Sequence, residues 1–105
     1  MKRVFYLYDT DTDSDAVRGC HANRFSQFIL IAVVGSCMTT VKDGKSDDVI
    51  VSLDTPEKGL WLNKMIWKEM HSFSEGTVLF VLSSHPYNSD EYISHYGQYL
   101  ELTKG

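Results

Sequence analysis

The stretch QFILIAVVGSCMTTVKDGKSDDVIVSL, residues 27–53, decides the architecture. Its first part, 27–34, is a short apolar run rich in Ile and Val with apolar residues at successive positions, as in a strand buried on both faces. Gly35 breaks it, and 36–42 then alternates apolar with polar residues up to Asp43-Gly44, a turn pair that closes a hairpin. Residues 49–53 alternate back out of that turn. Two strands joined by a turn, next to a third, point to an antiparallel sheet.

The same pattern extends in both directions. Residues 4–8 form a first strand, and 60–66, 67–73 and 77–82 give further strands, the last two separated by Ser74-Glu75-Gly76. Residues 55–59 read as a loop. Helical period is nearly absent until the end, where Asn88 can cap a helix with Glu91 three residues on, and Tyr92, Tyr96 and Leu100 fall on one face. Gly97 weakens that helix by roughly 1 kcal/mol relative to Ala. The chain is thus expected to be all-β with one C-terminal helix, and its 105 residues suit one domain.

Composition narrows the function. With 43% hydrophobic and 12% aromatic residues, the chain has enough apolar material for a packed core. Its formal net charge of −4 leaves no basic surplus to neutralise a phosphate backbone, so nucleic acid is not expected as a partner. The longest apolar run, 28–34, is far short of the roughly 18 residues of a membrane helix, and the N-terminus lacks a signal-peptide succession. The chain reads as cytoplasmic, with no membrane partner. Cys20 and Cys37 match no C-x-x-C or disulfide framework and are expected to be reduced and mostly buried.

Candidate chemistry is sparse. Asp9, Asp11, Asp13 and Asp15 alternate as in a calcium loop, but Ser14 and Cys20 stand where that loop needs Gly and Glu. In an extended strand His21 and Asn23 point to one face. Asn23 is a poor metal ligand, Gln27 is not a carboxylate and Lys68 is a cation, so no metal or other cofactor is expected. Taken alone, His21 reads either as a pocket residue or as a histidine satisfied by a backbone carbonyl. His71, His85 and His95 suit the surface or packing. Tyr6 and Tyr8 share one strand face and fit either a flat ligand or the core, as do Trp61 and Trp67.

Several ordered segments carry a more specific resemblance: KRVFYLYD (2–9), RGCHA (18–22), LDTPEKGLW (53–61), MIWKEM (65–70), Phe73-Ser74 and YNSDEYI (87–93). Together they resemble the dTDP-sugar 3,4-ketoisomerases of the cupin superfamily, the WxcM-like C-terminal type. The resemblance implies a small jelly-roll β-barrel, usually a homodimer, that binds a dTDP-linked 4-keto-6-deoxyhexose without a metal. It also implies a reaction in which a base removes the C3 proton, an enediol or enediolate forms, and a proton returns at C4.

By the same resemblance His21 is the candidate base, and Tyr6 or Tyr8 a proton or hydrogen-bond donor. Arg3, Arg18, Asn23 and Lys68 are the candidate substrate-binding residues. The chain departs from the family pattern at two positions: Asn23 stands where a second histidine is expected, and Lys68 follows Trp67 where a histidine is common. An amide carries no proton at neutral pH, and a lysine needs burial or a neighbouring charge to become a useful base. A further stretch normally precedes the first strand, so a shortened N-terminus is expected. These departures support a second reading, a catalytically degenerate cupin that binds a sugar nucleotide without turnover.

Overall fold

The computed structural model describes residues 2–7 and 17–104. Its strands are β1 (Arg3–Leu7), β2 (Val17–Asn23), β3 (Phe28–Val34), β4 (Cys37–Lys42), β5 (Val49–Leu53), β6 (Leu60–Leu62), β7 (Trp67–His71), β8 (Val78–Ser83) and β9 (Tyr92–Ile93), followed by helix α1 (Tyr96–Thr103). They form a four-stranded sheet in the order β1-β8-β3-β6 and a five-stranded sheet in the order β5-β4-β7-β2-β9. The pairings within both sheets are antiparallel. The chain is all-β with a C-terminal helix, in the double-sheet form of a jelly roll; its two sheets face each other and do not close into one hydrogen-bonded cylinder.

Period-2 alternation builds the layer between the sheets. Phe28, Leu30 and Ala32 of β3 and Leu79 and Val81 of β8 point inward, against Cys37, Leu53 and Met70 of the second sheet. Each large apolar side chain buried here stabilises the fold by roughly 1.5–3 kcal/mol. Outward positions of the four-stranded sheet are also apolar, with Val4, Tyr6 and Trp61 more than half exposed.

The expected hairpin forms with a longer loop. Val41 pairs with Val49, and the Asp43 carboxylate accepts the Lys45 and Ser46 amides at 2.8 and 2.7 Å, organising a turn of several residues. Those two bonds also hold the Asp43 carboxyl below its ordinary range.

Three expectations need correction. The strand expected over 60–66 ends at Leu62, because Met65 takes a left-handed conformation and the chain turns before β7. The strand expected over 67–73 ends at His71, since Ser72 has φ 56°. Asn88 caps a single 3₁₀ turn, Ser89–Glu91, and Tyr92 then pairs with Asn23 of β2. Pairing with β2 overrides the helical spacing there, so α1 begins only at Tyr96, and its buried residue is Tyr99, not Leu100.

Helix α1 covers the outer face of the second sheet, where Ala22, Trp67, Ile93 and Tyr99 make a separate apolar cluster. The Tyr99 hydroxyl donates between the Lys42 and Met65 carbonyls, 2.9 and 2.8 Å away. Cys37 is buried as expected, which pushes its thiol up to about 11, whereas Cys20 is exposed. Trp67 is core but Trp61 is not. Among the described residues no helix is long and apolar enough to cross a membrane.

Candidate active site

Strand β2 is irregular where it matters. Arg18 pairs with Met70 and His21 with Lys68, so three steps along β2 match two along β7. One extra residue is accommodated as a bulge. Gly19 makes it, with φ 72°, and a Cβ at that position would run into the end of the Met70 side chain. In a regular strand, residues three apart face opposite sides; the bulge turns both Arg18 and His21 inward.

They open into a cavity of about 150 Å³ between the sheets. Arg3, Phe5 and Leu7 of β1, Arg18, Gly19 and His21 of β2, Lys68 and Met70 of β7, and Tyr92 of β9 line it, and Phe28, Leu30 and Val81 complete the wall. The lining is mostly apolar with a few convergent polar groups, the composition of a small-molecule site. Among the described residues its charged lining is Arg3, Arg18 and Lys68, all cations, in a chain of net charge −4.

The Arg3 guanidinium lies 4.3 Å from the Phe5 ring and 4.9 Å from the Tyr87 ring, and donates to the Tyr92 hydroxyl at 3.4 Å. Stacking of this kind orders a guanidinium while leaving donors for an anionic ligand. The His21 ring packs 4.7 Å from that of Tyr92. Burial, helped by the nearby Lys68 charge, lowers His21 to about 3, so its imidazole is neutral at pH 7.

Lys68 is 4% exposed. Its ammonium donates to the Asn23 Oδ1 atom at 3.2 Å and lies 4.6 Å from the Phe28 ring. Burial brings it down to about 7, opposed by the charge of Glu91. The two residues that depart from the sequence pattern are therefore hydrogen-bonded to each other beside His21, and Lys68 has the burial that a useful lysine base requires. Asn23 does not line the cavity; it buttresses Lys68 from below, its own Nδ2 atom buried without a partner.

Tyr6 stands elsewhere. It is 56% exposed on the outer face of β1, stacked on Phe80 at a centroid distance of 5.1 Å. Strand alternation sends Arg3, Phe5 and Leu7 inward and Tyr6 outward. Tyr8 and the aspartate run 9–15 lie outside the described residues. Among the described residues the tyrosine on the cavity is Tyr92, which its sequence spacing places on a helix.

Comparison with known proteins agrees with this geometry. The family model described as FdtA: WxcM-like, C-terminal matches residues 1–104. A TDP-4-oxo-6-deoxy-alpha-D-glucose-3,4-oxoisomerase of Aneurinibacillus thermoaerophilus is 36% identical over 99 residues, covering 94% of this chain and 69% of that protein. The chain belongs to this WxcM-like family. Among solved structures, the TDP-fucose-3,4-ketoisomerase WlaRA of Campylobacter jejuni superposes with a TM-score of 0.91 at 44% identity, covering 98% of this chain and 74% of that one. QdtA, a 3,4-ketoisomerase of Thermoanaerobacterium thermosaccharolyticum, has a TM-score of 0.91 at 34% identity, covering 98% of this chain and 72% of that one. That structure is of a His-to-Asn variant in complex with TDP-4-keto-6-deoxyglucose.

The buried imidazole of this WxcM-like chain has a consequence for stability. Unfolding returns His21 from about 3 to its ordinary value of 6.5, so between those values the unfolded state holds more protons. Stability therefore rises with pH across that window and is lost as pH falls from about 6.5 towards 3. His21 alone contributes a slope of up to about 1.4 kcal/mol per pH unit. Denaturant unfolding at pH 4.5 to 6 should show a slope shallower by up to this amount in His21→Asn; an identical slope in both proteins would contradict the neutral imidazole.

Proposed function

We propose that the protein is a 3,4-ketoisomerase of a TDP-linked 4-keto-6-deoxyhexose. The observation that carries this reading is a neutral imidazole set beside three cations and a tyrosine in one mostly apolar cavity. The C3 proton of a 4-ketosugar is acidified by the adjacent carbonyl, and a neutral His21 is in the state to remove it. Charge then develops on O4, where the ammonium of Lys68 and the Tyr92 hydroxyl stabilise it in a site of low dielectric. The imidazolium returns the proton at C4 as the O3 proton passes to O4 and the carbonyl forms at C3. Arg3 and Arg18 supply the charge a diphosphate needs. Family membership and the keto-sugar complex of the related QdtA support the same substrate class.

Binding without turnover has less support, because the base and a buried lysine both remain on the cavity. Incubation with dTDP-4-keto-6-deoxyglucose in heavy water, followed by NMR, tests the catalytic reading. Deuterium should enter at the exchanging carbons as the 3-keto product appears, and absence of both overturns it. Native protein should also gain thermal stability with millimolar dTDP by mass action. A ligand-dependent shift without exchange would select the binding reading.

The protein works in the cytoplasm as a homodimer in this reading. The apolar outer face of the four-stranded sheet, with Val4, Tyr6 and Trp61 exposed, supports a second copy as its cover. Light scattering should give about 24 kDa, twice the 12.0 kDa chain, and Tyr6→Lys should give monomer. A native monomer would overturn the dimer.

A further inference from the structure

Glu91 is a buried carboxylate that the reaction above does not use. It is 2% exposed, and its Oε1 atom accepts the Phe25 amide at 3.3 Å and the Ser26 amide at 2.9 Å, while Oε2 accepts the Ser26 hydroxyl. These bonds fix it at the end of the 3₁₀ turn that leads into β9, one residue before Tyr92, which pairs with Asn23, the residue that accepts from Lys68. Its charge acts on Lys68, whose ammonium has, among the described residues, one side-chain acceptor, Asn23 Oδ1, and the face of the Phe28 ring. Burying a lysine so sparsely paired costs stability, a cost that a chemical role for the group would explain.

Isomerisation moves two protons. One passes from C3 to C4 and the other from the O3 hydroxyl to O4, and a single imidazole cannot hold both at once. Lys68 sits opposite His21 in the β2–β7 register and lines the same cavity. We propose that Lys68 is the carrier of the hydroxyl proton while His21 carries the carbon-bound one, and that Glu91 is a positioning residue that holds Lys68 in its ammonium form before turnover.

The protons balance. His21 takes the C3 proton as the Lys68 ammonium gives one to O4, leaving a neutral enediol, an imidazolium and a free amine. The amine then takes the O3 proton as the imidazolium delivers its own to C4. The 3-keto product forms, and both side chains return to their starting states. Giving and taking with equal ease requires a group that titrates near the working pH, and burial places Lys68 at about 7.

Among the described residues, Lys68 shares its cavity with His21 and Arg18 of β2, Arg3 of β1, Tyr92 of β9 and the apolar Phe28 and Val81, pairs with Val41 of β4, and feels the charge of Glu91 on the turn. Three of these groups are basic, and Glu91 is the one carboxylate among those of the described residues. Its removal should therefore lower the proton affinity of Lys68.

This inference rests on the ketoisomerase reading, and its test separates the two. Glu91→Gln keeps an Oε1 acceptor for both amides and a side-chain amide beside the Ser26 hydroxyl, so it preserves the fold. NMR titration of the labelled Lys68 side chain without substrate should show its midpoint falling by about one unit or more in Glu91→Gln. The alkaline limb of the kcat/KM profile should move with it. Lys68→Met should lower kcat by about 10²-fold or more while dTDP binding stays within a few-fold. Lys68→Arg should abolish the alkaline limb and remain slow, because a guanidinium does not give up its proton.

Lys68→Met turning over within threefold of the native rate would overturn the carrier role. An unmoved titration in Glu91→Gln would overturn the positioning role. Native protein that exchanges no deuterium overturns the ketoisomerase reading instead, and the substrate-free titration still decides the link between Glu91 and Lys68.

Discussion

His21→Asn is expected to lower deuterium exchange at C3 by about 10³-fold, with dTDP affinity changed only a few-fold. Asparagine keeps a hydrogen-bonding side chain of smaller size at the cavity wall but cannot accept a proton at neutral pH. The cations that suit a diphosphate, Arg3 and Arg18, are untouched by the change. Loss of rate without loss of binding is the signature of an interaction made in the transition state. Substrate-saturated exchange measured by NMR, alongside a dTDP titration, separates the two quantities. Exchange within tenfold of native would remove His21 as the base and shift attention to Lys68.

Glu91→Ala should have the largest effect on stability. It strips the acceptors from the Phe25 and Ser26 amides and the Ser26 hydroxyl, and Ser26 is only 1% exposed. Each buried donor left unpaired costs roughly 1–3 kcal/mol, and Lys68 loses its nearby counter-charge as well. A total of about 4 kcal/mol corresponds to a fall in melting temperature of about 20 °C in a domain of this size. Glu91→Gln should lie much closer to native. If thermal unfolding of Glu91→Ala moved by only a few degrees, water must replace the carboxylate and the buried network would be less than it looks.

Much of the fold was legible in local sequence. Val49–Leu53 emerged with its observed bounds because alternation and the preceding turn residues agree. The strand expected over 27–34 began one residue late for a similar reason, its apolar run matching the layer between the sheets. The C-terminal segment was misread because Tyr92, Tyr96 and Leu100 do have helical spacing. What decides their state is pairing of Tyr92 with Asn23, some seventy residues earlier, which no local window contains.

The site divides in the same way. His21, Arg18 and Arg3 were found through motif resemblance, and Lys68 was noticed as a departure from it. Tyr6 and Tyr8 came in through the resemblance of the opening strand, and strand alternation identifies two faces without saying which one meets the core. Glu91 was read as a capping partner for Asn88, the usual meaning of its spacing. Its actual partners, Phe25 and Ser26, lie far away in sequence. Burial and cross-strand contact, which give these groups their chemistry, are properties of the assembled sheets.

The bulge at Gly19 bears on how such sites arise and vanish during divergence. Arg18 and His21 share the cavity only because β2 carries one residue more than its partner strand there. Loss of a single codon would restore even spacing and send one of the two to the opposite side of the sheet. A reaction centre of this design can thus be dismantled or assembled by a change in chain length, with neither the arginine nor the histidine replaced.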